Sequence, residues 1–327
     1  MNRWLNHRTL PLLATFGVLV ILYGVASMRY EGFFTGRVMA NLFADNAVLG
    51  ICAIGMTFVI LSGGIDLSIG SVVAFTAVLV ASLVGPGGWH PVPAMGLAIV
   101  LGGLFGLGQG WLIHYFALPP FLVTLGGMFF ARGMAFVVTK ESVGIHHSFY
   151  DMLLSMHLGL GGRATLPATA LIFLLVLVVA VGVSHFTTFG RNVYALGGNP
   201  ESARLMGLPV AGTRVGVYAL NGVCSALAGV VNTLYTGSGN PAMGMGLELD
   251  AIAAVVIGGT LLAGGVGFVE GTLLGVLIFG TIHSALLFDG RLNSWWLRIA
   301  IGTLLLLFIL LQKEITRRAT AQARPGT

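Results

Sequence analysis

The chain has 327 residues, of which 56% are hydrophobic and only 8% charged, with a formal net charge of +5 and a mean hydropathy of +0.95. Soluble domains carry about 25% charged residues, so this composition cannot cover a water-exposed surface and excludes a soluble globular protein. The solvent it implies is lipid.

Glycine, at 49 residues, supports that reading, because small residues let helix backbones approach closely where lipid removes the hydrophobic drive. The apolar runs are long and lack the ten-residue alternation of a barrel. The expectation is an all-α polytopic membrane protein, one transmembrane domain over residues 1–327. Cys52 and Cys224 both lie in apolar runs, offer no disulfide or zinc spacing, and read as small packing residues.

In chain order, Arg3 and Arg8 precede an apolar run that resembles a signal peptide. The run is long for one and no small-residue cleavage site follows, so a retained first helix entering from the cytoplasm is expected. At about 20 apolar residues per crossing, ten spans are predicted, at 10–28, 41–62, 69–84, 93–114, 121–139, 167–185, 214–236, 248–263, 268–288 and 294–312. The third and eighth are short. Both termini then face the cytoplasm, with Arg191, Arg204, Arg214 and a basic tail at 313–327 on the inside, as the positive-inside rule favours. The basic balance therefore reads as membrane anchoring, with no nucleic-acid partner.

Two breaks interrupt the apolar runs. At residues 62–71 the sequence Ser-Gly-Gly-Ile-Asp-Leu-Ser-Ile-Gly-Ser stops one helix at Gly63 and Gly64, which tolerate positive φ. Asp66 and Ser68 can then cap the next helix. Asp66 has two readings: a structural cap, or a gating carboxylate at a depth where charge is costly. The spacing recurs downstream, Gly64 and Gly70 matching Gly265 and Gly271, which suggests an internal repeat of undetermined orientation. Gly102, Gly106 and Gly110 form a small-residue stripe expected to pack against another helix.

Polar residues inside apolar segments are Asp45, Asn46, Gln109, Thr124, Arg132, Asn221, Asn232, Glu248 and Asp250. Most are expected to bond between helices. Asn46, Asp66, Ser68, Asn221, Asn232 and Glu248 are the candidates for a translocation path or gate. The outer loop 140–166 carries His146, His147 and His157 without partners at ligand spacing, and reads as solvated. No metal, cofactor or catalytic residue is expected. Neither lysine, Lys140 or Lys313, sits in a phosphate-binding loop, and no hydrolase motif occurs. If transport uses ATP, a separate ATPase must dock. The candidate dock is the loop 186–213, where Asn199, Pro200 and Glu201 start a short helix that Gly207 stops.

At these residues the chain resembles the permeases of ribose-type, branched-chain-like sugar ABC importers, over about residues 41–312. The resemblance rests on residues 55–71, on Leu118 to Phe121 with Thr124 to Gly126, on residues 190–207, and on residues 248–267. Gly127 to Phe130, residues 248–267, and Phe288 to Gly290 with Ser294 to Trp296 are most similar to the galactofuranose-importing members. The resemblance implies a type II importer fold in a bacterial inner membrane, working with a second permease subunit, a cytoplasmic ATPase and a periplasmic sugar-binding protein. It implies that Gly190, Arg191, Tyr194, Gly197, Gly198, Asn199, Glu201, Ala203, Arg204 and Gly207 couple to that ATPase. An ion-coupled secondary sugar transporter is the alternative. A membrane enzyme has no acid, base or metal cluster to stand on.

Overall fold

The computed structural model describes residues 10–161, 164–291 and 295–322. Arg3, Arg8, Arg163 and Arg324 lie outside the described residues.

Each predicted span carries a helix, but the lengths differ. Helices α1 (Leu10–Arg29), α5 (Pro91–Tyr115), α6 (Pro120–Val138), α8 (Ala168–Phe186), α11 (Val210–Thr236) and α13 (Val269–Asp289) are each long and apolar enough to cross a bilayer. A seventh crossing arises if α2 (Gly36–Asp45) and α3 (Ala47–Leu61), bent by 56° at Asn46, count as one. The Asn46 amide donates to the Leu42 carbonyl at 2.9 Å, and its side chain occupies the space beside Gly280 of α13. Asn46 therefore fastens a bend, and nothing in its contacts places it on a path.

Helices α4 (Ile69–Val84, 16 residues) and α12 (Leu247–Ile257, 11 residues) are too short to cross alone. At about 1.5 Å per residue, α12 spans ~17 Å of a ~30 Å hydrocarbon core. The predicted span 248–263 overran its helix, because Gly259 at φ +95° ends α12 early. Helix α14 (Trp295–Gln322) is apolar only over Trp295–Leu311 and runs on through most of the predicted tail without a break.

The loops hold more structure than the sequence reading gave them. In the loop 140–166, β1 (Val143–Gly144) pairs antiparallel with β4 (Ser238–Gly239), and β2 (His157–Gly161) pairs with β3 (Ala164–Pro167). Between them lies α7 (Ser148–Ser155), capped by His147, whose Nδ1 accepts from the Phe149 amide at 3.1 Å. The loop 186–213 contains α9 (Thr188–Gly198) as well as the expected α10 (Pro200–Leu205).

The core is the run of almost wholly buried side chains on α3, surrounded by α8, α11, α12 and α13. Helices α1, α5, α6 and α14 lie outside it, with apolar faces such as Phe129, Phe130 and Val137 turned outward. Helix α11 packs most extensively on α5. The glycine stripe explains the seam: a Cβ at Gly102, Gly106 or Gly110 would collide with Ala226 and the Gly222 carbonyl, the Tyr218 carbonyl, and the Val215 backbone.

Candidate coupling and translocation sites

The loop 186–213 is built from two capped helices. Thr187 starts α9 by accepting from the Gly190 amide at 3.1 Å. Phe189, Val193 and Leu196 then turn one face inward, with Val193 and Leu196 buried. Asn199 starts α10, its side-chain oxygen accepting from the Ser202 amide at 2.9 Å, and Pro200 fills the first helical position. The ending is a Schellman motif: Gly207 lies at φ +76°, its amide donates to the Arg204 carbonyl, and the Leu208 amide donates to the Ala203 carbonyl at 3.1 Å.

The ten predicted coupling residues divide by role. Gly190, Tyr194, Gly197, Gly198 and Ala203 attach the segment to the bundle, while Asn199 and Gly207 shape it. Arg191, Glu201 and Arg204 are exposed and free of ion pairs among the described residues.

Gly197 and Gly198 meet both breaks. Helix α3 ends in the same Schellman geometry as α10, with Gly63 at φ +81° and the Gly64 amide donating to the Val59 carbonyl at 2.9 Å. Helix α12 ends likewise, the Thr260 amide donating to the Val255 carbonyl at 3.2 Å. A tight turn at 261–264 follows, and the Gly265 amide donates to the Leu61 carbonyl at 2.9 Å. A Cβ at Gly197 would strike that same carbonyl and the Gly265 amide; one at Gly264 would lie 2.8 Å from the Gly63 nitrogen. Three glycine pairs, Gly63 and Gly64, Gly197 and Gly198, Gly264 and Gly265, therefore form one backbone junction. Helices α3 and α12 both run into it.

Two side-chain struts flank the junction. The Tyr194 hydroxyl donates to the Gly267 carbonyl at 3.0 Å, and burial raises that phenol above its ordinary pKa. His185 Nε2 meets Glu270 Oε1 at 2.7 Å in a half-exposed pair joining the end of α8 to the start of α13.

Beyond the junction, residues 64–68 lead to the start of α4. Asp66, 2% exposed, accepts on Oδ1 from the Ser68 amide at 2.8 Å and the Ser68 hydroxyl at 2.6 Å. Its Oδ2 accepts from the Asn221 amide of α11 at 2.7 Å. Ser68 Oγ also lies 3.3 Å from Gln109 Oε1 of α5. The expectation that Ser68 would cap α4 needs correcting: it occupies the N-cap position in αR geometry and makes no side-chain cap. Asp66 instead fixes the backbone at Ser68, two residues downstream, and ties it to α11. Gln109 Nε2, Asn221 Oδ1 and the Tyr218 hydroxyl are buried around this carboxylate with no partner among the described residues.

Asn232 and Glu248 lie elsewhere. Helices α4 and α12 begin side by side and diverge toward opposite ends: Gly70 leaves room for the Gly244 carbonyl and the Glu248 carboxylate, whereas α4 ends at Gly85 beside Gly144. The chain entering α12 is held by Arg132 of α6, which donates from one nitrogen to the Pro241 and Met243 carbonyls at 2.7 and 2.6 Å. The Asn232 amide lies 3.5 Å from Met243 Sδ. Asp66, Ser68 and Asn221 thus form one node, Glu248 and Asn232 border a second region, and Asn46 belongs to neither. The sequence reading missed Tyr218, His185 and the meeting of Gly197 with Gly265. Only chain folding brings the last pair together, and no local pattern announces it.

Residues 38–310 match the family model described as branched-chain amino acid transport system / permease component. The chain belongs to this permease family. The permease is 50% identical over 309 residues to the inner membrane ABC transporter permease protein YjfF of Escherichia coli K12, covering 94% of this chain and 93% of that protein. It is 36% identical to the fructose import permease protein FruG of Bifidobacterium longum, with 95% and 93% covered. It is 38% identical to the ribose import permease protein RbsC of Bacillus subtilis, with 92% of each covered. No solved structure matches. The permease is a transport subunit and not itself an enzyme; ATP hydrolysis belongs to a partner.

Proposed function

We propose that this permease is the membrane-spanning subunit of an ATP-driven, binding-protein-dependent monosaccharide importer in a bacterial inner membrane, with galactofuranose as the leading substrate. The names of YjfF, FruG and RbsC support the class of transporter, and residues 127–130, 248–267, 288–290 and 294–296 motivate the sugar. Its partners are a second permease subunit, a cytoplasmic ATPase docked on residues 186–213, and a periplasmic sugar-binding protein. The ten predicted spans then comprise the seven longer crossings, α14, and α4 and α12 as half-crossings, with both termini cytoplasmic in a type II arrangement. The junction favours a parallel repeat, since α3 and α12 both run toward it.

The observation that carries the reading is the glycine junction. A load applied to exposed Glu201 and Arg204 passes through α9 to the ends of α3 and α12 by backbone contact, with no flexible side chain between. The two bundles rock as rigid bodies, and the path opens and closes. Asp66 acts here as a buried staple that carries the motion to α11, in preference to a gate. Glu248, beside paired helix starts part-way along the bundle, is the residue that lines the path, with Asn232 next to it.

In membrane vesicles holding the full importer, replacing Glu201 and Arg204 together by alanine is expected to abolish uptake of labelled sugar while membrane insertion persists. Unimpaired uptake would remove the coupling assignment. Binding of galactofuranose, ribose and fructose to the periplasmic partner tests the sugar; a preference for ribose or fructose would overturn galactofuranose alone.

A further inference from the structure

The end of α5, helix α10 and the start of α11 enclose a cleft of about 730 Å³ that the coupling role does not use in full. His114, Glu201, Arg204 and Arg214 are the charged or titratable residues that line it. Neither arginine makes an ion pair among the described residues. His114 Nδ1 is buried without a partner among the described residues. Helix α11 also begins here with no side-chain cap, so the positive end of its dipole adds to the same field. Two guanidinium groups against one carboxylate leave the cleft with one net positive charge, the complement of one phosphodiester.

The surroundings say where that anion comes from. Trp111, Tyr115 and Phe116 stand exposed at the end of α5, and Leu205 is exposed on α10. Exposed tryptophan and tyrosine mark headgroup depth in a bilayer, and a basic pocket between helix ends at that depth suits a lipid headgroup. An apolar rim would serve no purpose for a small ion in water. We propose that this cleft binds the headgroup of an anionic phospholipid. The phosphodiester lies between Arg204 and Arg214 over the start of α11, and the acyl chains lie along the aromatic end of α5. Glu201 disfavours a second negative charge and can accept from a hydroxyl of the headgroup, which suits phosphatidylglycerol. The site is independent of which sugar is carried.

Native mass spectrometry of the detergent-solubilised full chain, titrated with phosphatidylglycerol or phosphatidylcholine, tests this. The wild type is expected to retain phosphatidylglycerol preferentially. Arg204→Gln and Arg214→Gln are each expected to lower retention about five-fold, from the free energy per basic residue at an anionic surface, while Arg214→Lys keeps most of it and controls for folding. Equal retention of the two lipids, or a preference unchanged in the double glutamine variant, overturns the proposal. Loss of the preference on adding millimolar inorganic phosphate would make the ligand a free anion and overturn the lipid assignment.

Discussion

The two breaks in the bundle share a spacing and a helix ending, yet they are filled in different ways. After Gly63 the chain enters a buried polar node, where Asp66 holds Ser68 and Asn221. After Gly259 it makes a compact backbone turn, and the fastening is done by Tyr194 and the half-exposed His185 to Glu270 pair. The first break is thus tied inward to α5 and α11, and the second outward to α8 and α9. Matching glycines fix where a chain can turn, while the residues between them decide what it is attached to.

Breaking the point where the breaks meet should have the largest effect. Gly197→Val drives a branched side chain into the Leu61 carbonyl and the Gly265 amide. Overpacking of this kind typically costs about 1–3 kcal/mol, and sugar uptake in vesicles is expected to be lost altogether. Wild-type uptake in this variant would show that the junction does not transmit. Next comes the inward-tied break. Asp66→Ala leaves the buried Asn221 amide without its acceptor, and should lower stability by roughly 1.5–3 kcal/mol, read as a fall in the midpoint of thermal unfolding in detergent. Asp66→Asn should recover part of that loss; if both variants melt like the wild type, the node is not a staple.

The outward-tied break should respond less. Tyr194→Phe removes the bond to the Gly267 carbonyl and the 3.2 Å contact with Ser184 Oγ, worth about 1 kcal/mol each, so uptake should fall several-fold while the fold is retained. The smallest change is expected for Glu270→Gln, since half-exposed ion pairs contribute about 0–1 kcal/mol and weaken with salt. Its unfolding midpoint should approach that of the wild type as salt is raised. An effect of Glu270→Gln larger than that of Asp66→Ala would reverse the comparison.

Much of this was legible in the sequence. Apolar run length located every helical span, Gly63 and Gly64 announced the first break, and Asn199, Pro200 and Gly207 bounded α10 before any coordinates. The stripe at Gly102, Gly106 and Gly110 pointed to a close seam, although not to α11 as its partner. Helix α9 was overlooked, even though Thr187 and the spacing of Phe189, Val193 and Leu196 signalled it, because a polar stretch between spans reads as a loop. Helix α12 was overrun because Gly258 and Gly259 sit inside an apolar run, and only a positive φ reveals the stop. Asp66 was recognised as a capping candidate, but its bond to Asn221 spans 155 residues. Local pattern carries no information about a contact of that range.

The seam between α5 and α11 has a mechanical consequence. Two helices that interlock through glycine backbones cannot slide or bend separately, so they behave as a single stiff rod. At about 1.5 Å per residue, α11 is ~40 Å long. A tilt of about 5° at the α10 end would swing the opposite end by roughly 3 Å on that geometry. That opposite end is Gly237, adjoining β4 and hence β1 of the far-side loop. A small rotation on one side of the bundle is thereby magnified into a shift large enough to loosen a grip on the other.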